Sequence, residues 1–193
     1  HDCSSCNEDL EQFCEKGMVL TYASPDPILG GMTMGGYSQE IVVEQSFVLR
    51  LEKNLDNPGA APLLCAGITM YSPLRQYNAS RGDRVGIIGL GGLGHMGIKL
   101  AAAMGAEVVA ITSSHNKGQD AIELGADQVL VSSDTVAIES EAGTFDLLIN
   151  TIPADHDFSQ YLGLLKRDKT MVIVGASHMK MFSMNLLFGR KKV

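Results

Sequence analysis

The stretch Val85-Gly86-Ile87-Ile88-Gly89-Leu90-Gly91-Gly92-Leu93-Gly94-His95-Met96-Gly97 decides the fold. Residues 85–89 form a short, almost wholly apolar run, the pattern of a strand covered on both faces. Glycines 89, 91 and 94 then fall at the G-x-G-x-x-G spacing. Directly behind them Met96, Leu100 and Met104 recur at a spacing of four, on one face of a helix with Lys99 turned away. Strand, glycine loop and helix in that order separate a dinucleotide fingerprint from a chance glycine pattern. Gly89 would allow the tight turn, Gly91 would let backbone approach a pyrophosphate, and Gly94 would let the helix pack closely on the strand. The free N–H groups at the helix start would face the phosphates. A glycine loop that merely packs is the rival reading.

Outward from this stretch the rhythm continues. Apolar runs at 107–112, 128–131, 145–150 and 170–175 alternate with helical stretches, and Gly105 and Gly125 stand where two helices should end. Repeated strand, helix, strand predicts an α/β fold with a doubly wound parallel sheet. Residues 1 to about 61 differ: three cysteines, Pro25, Pro27, Pro58, a glycine-rich stretch at 30–37 and one strand-like run at 40–48 predict a β-rich lobe with irregular loops. An Ala/Leu-rich segment from 60 to about 77 predicts a connecting helix that Pro73 should kink or interrupt. The expected division is therefore 1–65 for the first domain and 66–193 for the nucleotide-binding one.

The composition agrees with this division. In 193 residues, 45% hydrophobic and 19% charged with 21 glycines, there is ample material for a packed core and little sign of disorder. Fifteen basic against 22 acidic side chains leave a net charge of −7, and the one basic cluster is Arg190, Lys191, Lys192, so a nucleic-acid surface is not expected. No apolar run reaches the roughly 18 residues a membrane span needs. With His at position 1 and a basic run at the close, the sequence reads as a piece cut at both ends.

Several side chains point to chemistry. NAD-binding domains usually place a carboxylate at the end of the second strand. That edge here reads Thr112-Ser113-Ser114-His115-Asn116-Lys117, and the nearest acid, Glu107, is at the wrong end. Hydroxyls and a lysine would hydrogen-bond and neutralise a 2′-phosphate, which favours NADP over NAD; ordinary loop and cap residues are the alternative. Cys3, Cys6 and Cys14 supply three thiolates where structural zinc takes four, a fourth being expected just before residue 1, and a redox C-x-x-C is the rival. In a large, core-rich chain this knuckle reads as metal binding in a reducing cytoplasm. Cys65 taken alone reads as a small core hydrophobe. His95, His115, His156 and His178 have no neighbours at ligand spacing and read as loop histidines.

Together, the knuckle ending in Phe13-Cys14, Gly35-Gly36-Tyr37-Ser38 running into Ile41-Val42-Val43, Ala61-Pro62-Leu63-Leu64-Cys65-Ala66-Gly67-Ile68-Thr69 and the 89–97 stretch resemble the zinc-dependent medium-chain alcohol dehydrogenases. More narrowly they are similar to the cinnamyl alcohol dehydrogenase branch with its NADPH-dependent aldehyde reductases. The resemblance spans essentially the whole chain and a little over half of a full-length member. It implies a Rossmann domain, truncated at its end, joined to the trailing part of a GroES-like catalytic domain. It implies an enzyme that transfers hydride between NADPH and an aldehyde or alcohol, with zinc as Lewis acid on the substrate oxygen. Cys65 would be a ligand of the catalytic zinc, and Cys3, Cys6 and Cys14 would hold a structural zinc. Thr69, Gly89, Leu90, Gly91, Gly92, Leu93, Gly94, Thr112, Ser113, Ser114, Lys117, Thr151, Val174, Gly175 and Ala176 fall where the family contacts NADP. It further implies that the other catalytic zinc ligands and the proton relay lie upstream, so that the chain as written should not turn over, that the metal lobe faces the nucleotide domain, and that members are often homodimers joined through the sheet. The strand expected at 191–193 is barely begun. An NAD-dependent sugar or polyol dehydrogenase and a non-catalytic nucleotide-binding module remain alternatives.

Overall fold

In the computed structural model, which describes residues 2–17, 19–55, 57–175 and 192–193, the chain divides into two compact units, His1–Glu52 and Lys53–Val193. The division precedes the one expected after residue 65. The reason is local: the short helical turns at Asn57–Ala60 and Ala61–Leu64 pack on each other, and the second packs on the helix at Ala66–Gln76, so this linker belongs with the sheet unit.

The first unit holds a one-turn helix α1 (Ser4–Asn7), a 3-10 turn at Glu11–Phe13, and strands β1 (Tyr22–Pro25) and β2 (Met32–Met34), paired antiparallel. The strand expected over 40–48 does not form. Its only regular element is a 3-10 turn at Gln45–Phe47, and Ile41, Val42 and Val43 are exposed. A β-branched run becomes a strand when a neighbouring strand and a buried face receive it, and the described residues offer it neither.

The second unit begins with α2 (Asn57–Ala60) and α3 (Ala66–Gln76), then alternates: β3 (Arg84–Ile88), α4 (Gly92–Ala103), β4 (Glu107–Thr112), α5 (Gly118–Glu123), β5 (Gln128–Val131), α6 (Thr135–Ser140), β6 (Phe145–Asn150), α7 (Ser159–Leu162) and β7 (Leu165–Ile173). α3 runs unbroken through Pro73, which is buried in its last turns and so removes only one main-chain donor. The five strands are parallel in the order β5-β4-β3-β6-β7. Val85, Ile87, Val108, Ala110, Leu147 and Ile149 cluster with Met70, Leu74, Ile98, Ala101 and Ala121, so α3, α4 and α5 cover one face. Ile88, Val109, Ile111, Leu130, Leu148 and Met171 cluster with Ile138, Tyr161 and Leu162 of α6 and α7, which cover the other. Both faces are buried, which is why the strand runs are continuously apolar.

β7 starts five residues before the run expected at 170, because Leu165 pairs with Phe145 before a register shift that ends at Thr170 opposite Leu147. Asp168, at φ +65°, lies inside that irregularity, and the charged run Lys166-Arg167-Asp168-Lys169 hides the strand's first half from an apolar pattern. Beyond β7, Lys192 forms an isolated parallel bridge to Thr170, and its N–H donates to the Lys169 carbonyl at 3.0 Å. Arg190, Lys191, Ala176 and His178 lie outside the described residues. No described helix is long and apolar enough to cross a membrane.

Candidate dinucleotide crevice and metal centre

The strand order reverses between β3 and β6, so a crevice opens beyond the carboxyl ends of these two strands, where doubly wound sheets bind dinucleotides. The glycine loop sits at its floor. Gly89 has φ +94°, and a side chain there would meet Thr151 Oγ1 at 2.8 Å. At Gly94 a Cβ would overlap the carbonyl oxygen of Gly89, so α4 can press against the loop only with hydrogen at that position. Gly91 and Gly92 face open space and are exposed, and Gly91 caps the twelve-residue α4 with no side-chain bond to its first N–H groups. Those donors and the helix dipole point at the place a pyrophosphate would take. Leu90 and Leu93 turn the other way and pack against the core.

Thr151 closes the loop from β6. Its hydroxyl is buried and donates to the carbonyls of Ile88 at 2.9 Å or Gly89 at 3.1 Å. At the end of β4, Thr112 is buried and its Oγ1 accepts from the N–H of Ser114 at 3.3 Å, so this residue shapes the edge. Ser113 and Lys117 are exposed and Ser114 is half-buried. Lys117 reaches across from the 3-10 turn His115–Lys117 until its Nζ lies 3.4 Å from the carbonyl of Leu90. A cation is thereby placed at the glycine loop, on the side where the edge offers hydroxyls and no carboxylate. Val174 and Gly175 both donate their N–H groups to the carbonyl of Asn150, at 2.9 and 3.1 Å. Thr69 is half-buried in α3, one turn on from Cys65, whose carbonyl accepts its N–H at 3.0 Å. His95 and His115 are exposed.

Sequence reasoning missed one residue here. Asn150 is wholly buried at the tip of β6, and its side chain bonds His156, which reads in sequence as a plain loop histidine. An asparagine closing the apolar run Leu147-Leu148-Ile149 was the available signal.

In the first unit the three cysteines converge. Cys3 Sγ lies 3.4 Å from Cys6 Sγ and 4.0 Å from Cys14 Sγ, and all three sulfurs lie within 4.8 Å of one another. Tetrahedral zinc with Zn–S bonds of about 2.3 Å requires S···S edges of about 3.8 Å, so the trio fits three corners of such a site. Backbone N–H groups of Cys6 and Glu15 lower the Cys3 thiol to about 7, whereas burial, with Cys3 beside it, raises Cys6 to about 12. Donors aimed at a sulfur favour its thiolate, the form that binds metal. Cys65 is exposed at the N-terminus of α3, which overturns the core reading of this residue. The described residues gather no further three-ligand cluster.

The zinc-binding dehydrogenase family model matches residues 92–193. The aldehyde reductase YahK of Escherichia coli (strain K12) is 47% identical, the alignment covering 99% of this chain and 56% of that protein. A solved cinnamyl alcohol dehydrogenase from Sorghum bicolor superposes with a TM-score of 0.93 at 42% identity, over 98% of this chain and 55% of that one. CAD from Helicobacter pylori, solved with NADP(H), superposes with a TM-score of 0.88 at 38% identity, over 100% of this chain and 56% of that one. The chain spans about half the length of the curated relatives it matches.

Proposed function

The chain belongs to the zinc-binding dehydrogenase family, and from that premise we propose that its protein is an NADPH-dependent, zinc-dependent alcohol dehydrogenase that reduces aldehydes. The observation that carries the cofactor choice is the β4 edge. Ser113, Ser114 and Lys117 stand there without a carboxylate, and Lys117 Nζ lies 3.4 Å from the loop carbonyl of Leu90. A 2′-phosphate beside Lys117 would gain a charge-assisted contact that NAD cannot make.

The residues divide the work. The N–H groups at 91–94 would hold the pyrophosphate, Gly89 and Thr151 keep the loop in shape, and the turns carrying Thr151, Val174 and Gly175 would flank the cofactor's far half, with Thr69 alongside. Cys65 supplies one thiolate to the catalytic zinc, and Cys3, Cys6 and Cys14 supply three to a structural one. When bound, zinc supplies Lewis acidity to the substrate oxygen and NADPH supplies the hydride. Partners of this chemistry are small aldehydes and alcohols. A cysteine knuckle arranged for metal in a large, core-rich chain supports a reducing compartment, the cytoplasm.

With the intact parent protein, loss of NADPH absorbance on adding an aromatic or aliphatic aldehyde, abolished by a strong chelator, is the expected result. Activity unchanged after verified zinc removal would sink the zinc mechanism. For the cofactor choice, Lys117→Glu should lower the NADP-to-NAD ratio of kcat/KM by about tenfold or more, since a charge-assisted contact becomes a like-charge one. An unaltered ratio would refute the assignment of the β4 edge.

A further inference from the structure

Asn150 is the last residue of β6, buried completely between two turns, and every polar group it carries along that edge is engaged. Its carbonyl accepts from Val174 and Gly175, which leave β7. Its side-chain Oδ1 accepts from the N–H of Ile152 at 3.1 Å. The amide nitrogen Nδ2 lies 2.9 Å from His156 Nε2, and His156 Nδ1 lies 2.7 Å from the carbonyl oxygen of Ala154. A carbonyl only accepts, so Nδ1 carries the imidazole proton. Nε2 is then the acceptor for Nδ2–H, and both the tautomer and the amide orientation follow from the network.

These bonds tie 151–156 and 174–175 into one body. The turns also touch directly: a Cβ on Gly175 would overlap the backbone of Ile152, and one on Gly89 would meet Ile152 Cγ1 at 3.0 Å. Packing does not demand an asparagine here. Leucine, of similar size, would leave the half-buried Ile152 N–H and His156 Nε2 without their partner.

Topology shows what this body serves. Dinucleotides cross the switch point with one nucleoside over each half of the sheet. The half with β3, β4 and β5 carries the glycine loop and the 2′-phosphate edge, which leaves the nicotinamide half over β6 and β7. We propose that Asn150, through its bond to His156, is a positioning residue for the nicotinamide half of NADPH, holding the turns after β6 and β7 in their binding arrangement. The proposal rests on the cofactor reading given above.

A fragment of the cofactor makes the test selective. 2′,5′-ADP contains the adenosine half and its 2′-phosphate and does not reach β6 or β7. Asn150→Ala should weaken NADPH binding, followed by nucleotide fluorescence, by about tenfold, and leave the calorimetric affinity for 2′,5′-ADP within about twofold. His156→Ala should act in the same direction. His156→Gln, whose Oε1 can accept from Asn150 Nδ2–H, should recover most of the affinity. Should Asn150→Ala fail to fold, the two His156 variants decide. NADPH affinity unchanged in Asn150→Ala or His156→Ala overturns the proposal, as does an equal loss for 2′,5′-ADP, which would mark a general structural role. Wild-type protein that binds neither ligand overturns the cofactor reading itself, and the positioning role with it.

Discussion

Gly91→Ala is expected to give a folded protein that no longer holds NADPH, whereas Gly94→Ala is expected to lose stability together with binding. Both glycines belong to one motif, yet their surroundings differ. A Cβ at Gly91 meets no protein atom within 4 Å, and the backbone there, at φ −114°, suits any residue. The space it would enter is the space a pyrophosphate needs, so the methyl group should cost about 100-fold or more in NADPH affinity while the melting temperature stays put. A Cβ at Gly94 would overlap the Gly89 carbonyl oxygen, a backbone atom that cannot swing aside. Overpacking of that kind costs about 1–3 kcal/mol, enough to lower the melting temperature by several degrees. Thermal melting with a fluorescence titration of NADPH separates the two. Wild-type affinity in Gly91→Ala would show that the loop cradles no phosphate.

In the intact parent protein, Cys65→Ser is expected to remove turnover and little else. The thiol is exposed, so no cavity opens in the core and no buried partner is orphaned. If Cys65 is a ligand of the catalytic zinc, the variant should hold one zinc fewer per subunit, and kcat should fall by about three orders of magnitude, the scale on which Lewis-acid stabilisation acts. The NADPH dissociation constant should not change, because the glycine loop and the β4 edge involve other residues. Metal analysis, steady-state kinetics and a binding titration on the same sample check all three. Persisting turnover with full zinc content would return Cys65 to the status of an ordinary exposed thiol.

These contrasts show where sequence is a good guide. The parallel sheet was readable because β3 to β6 are apolar along nearly their whole length, and only a strand covered on both faces needs that; β7 carries Lys166, Arg167, Asp168 and Lys169 in its first half, and only its run from 170 onward reads as a strand. The glycine loop was readable because its spacing meets a backbone requirement at a strand-to-helix turn, which neighbours in space do not alter. The same holds for the helix ends at Gly105 and Gly125, where φ is +87° and +111°.

Properties that depend on a partner distant in the chain could not be read. The run at 40–48 has the composition of a strand, but strand formation depends on a neighbour to pair with, and the described residues bring none. Cys65 by itself reads as core, the family resemblance makes it a zinc ligand, and only the fold shows that it is exposed. Lys117 is a candidate phosphate ligand by its position at the β4 edge, but that its Nζ lies 3.4 Å from the carbonyl of Leu90, 27 positions back along the chain, follows only from the fold. Asn150 and His156 are single polar letters until the turns after β6 and β7 close over them. Local chemistry, in short, specified the strands, the loop and the identity of the thiols. Which side chains meet, and therefore which are buried, paired or left free to take a ligand, depended on long-range packing that no local spacing encodes.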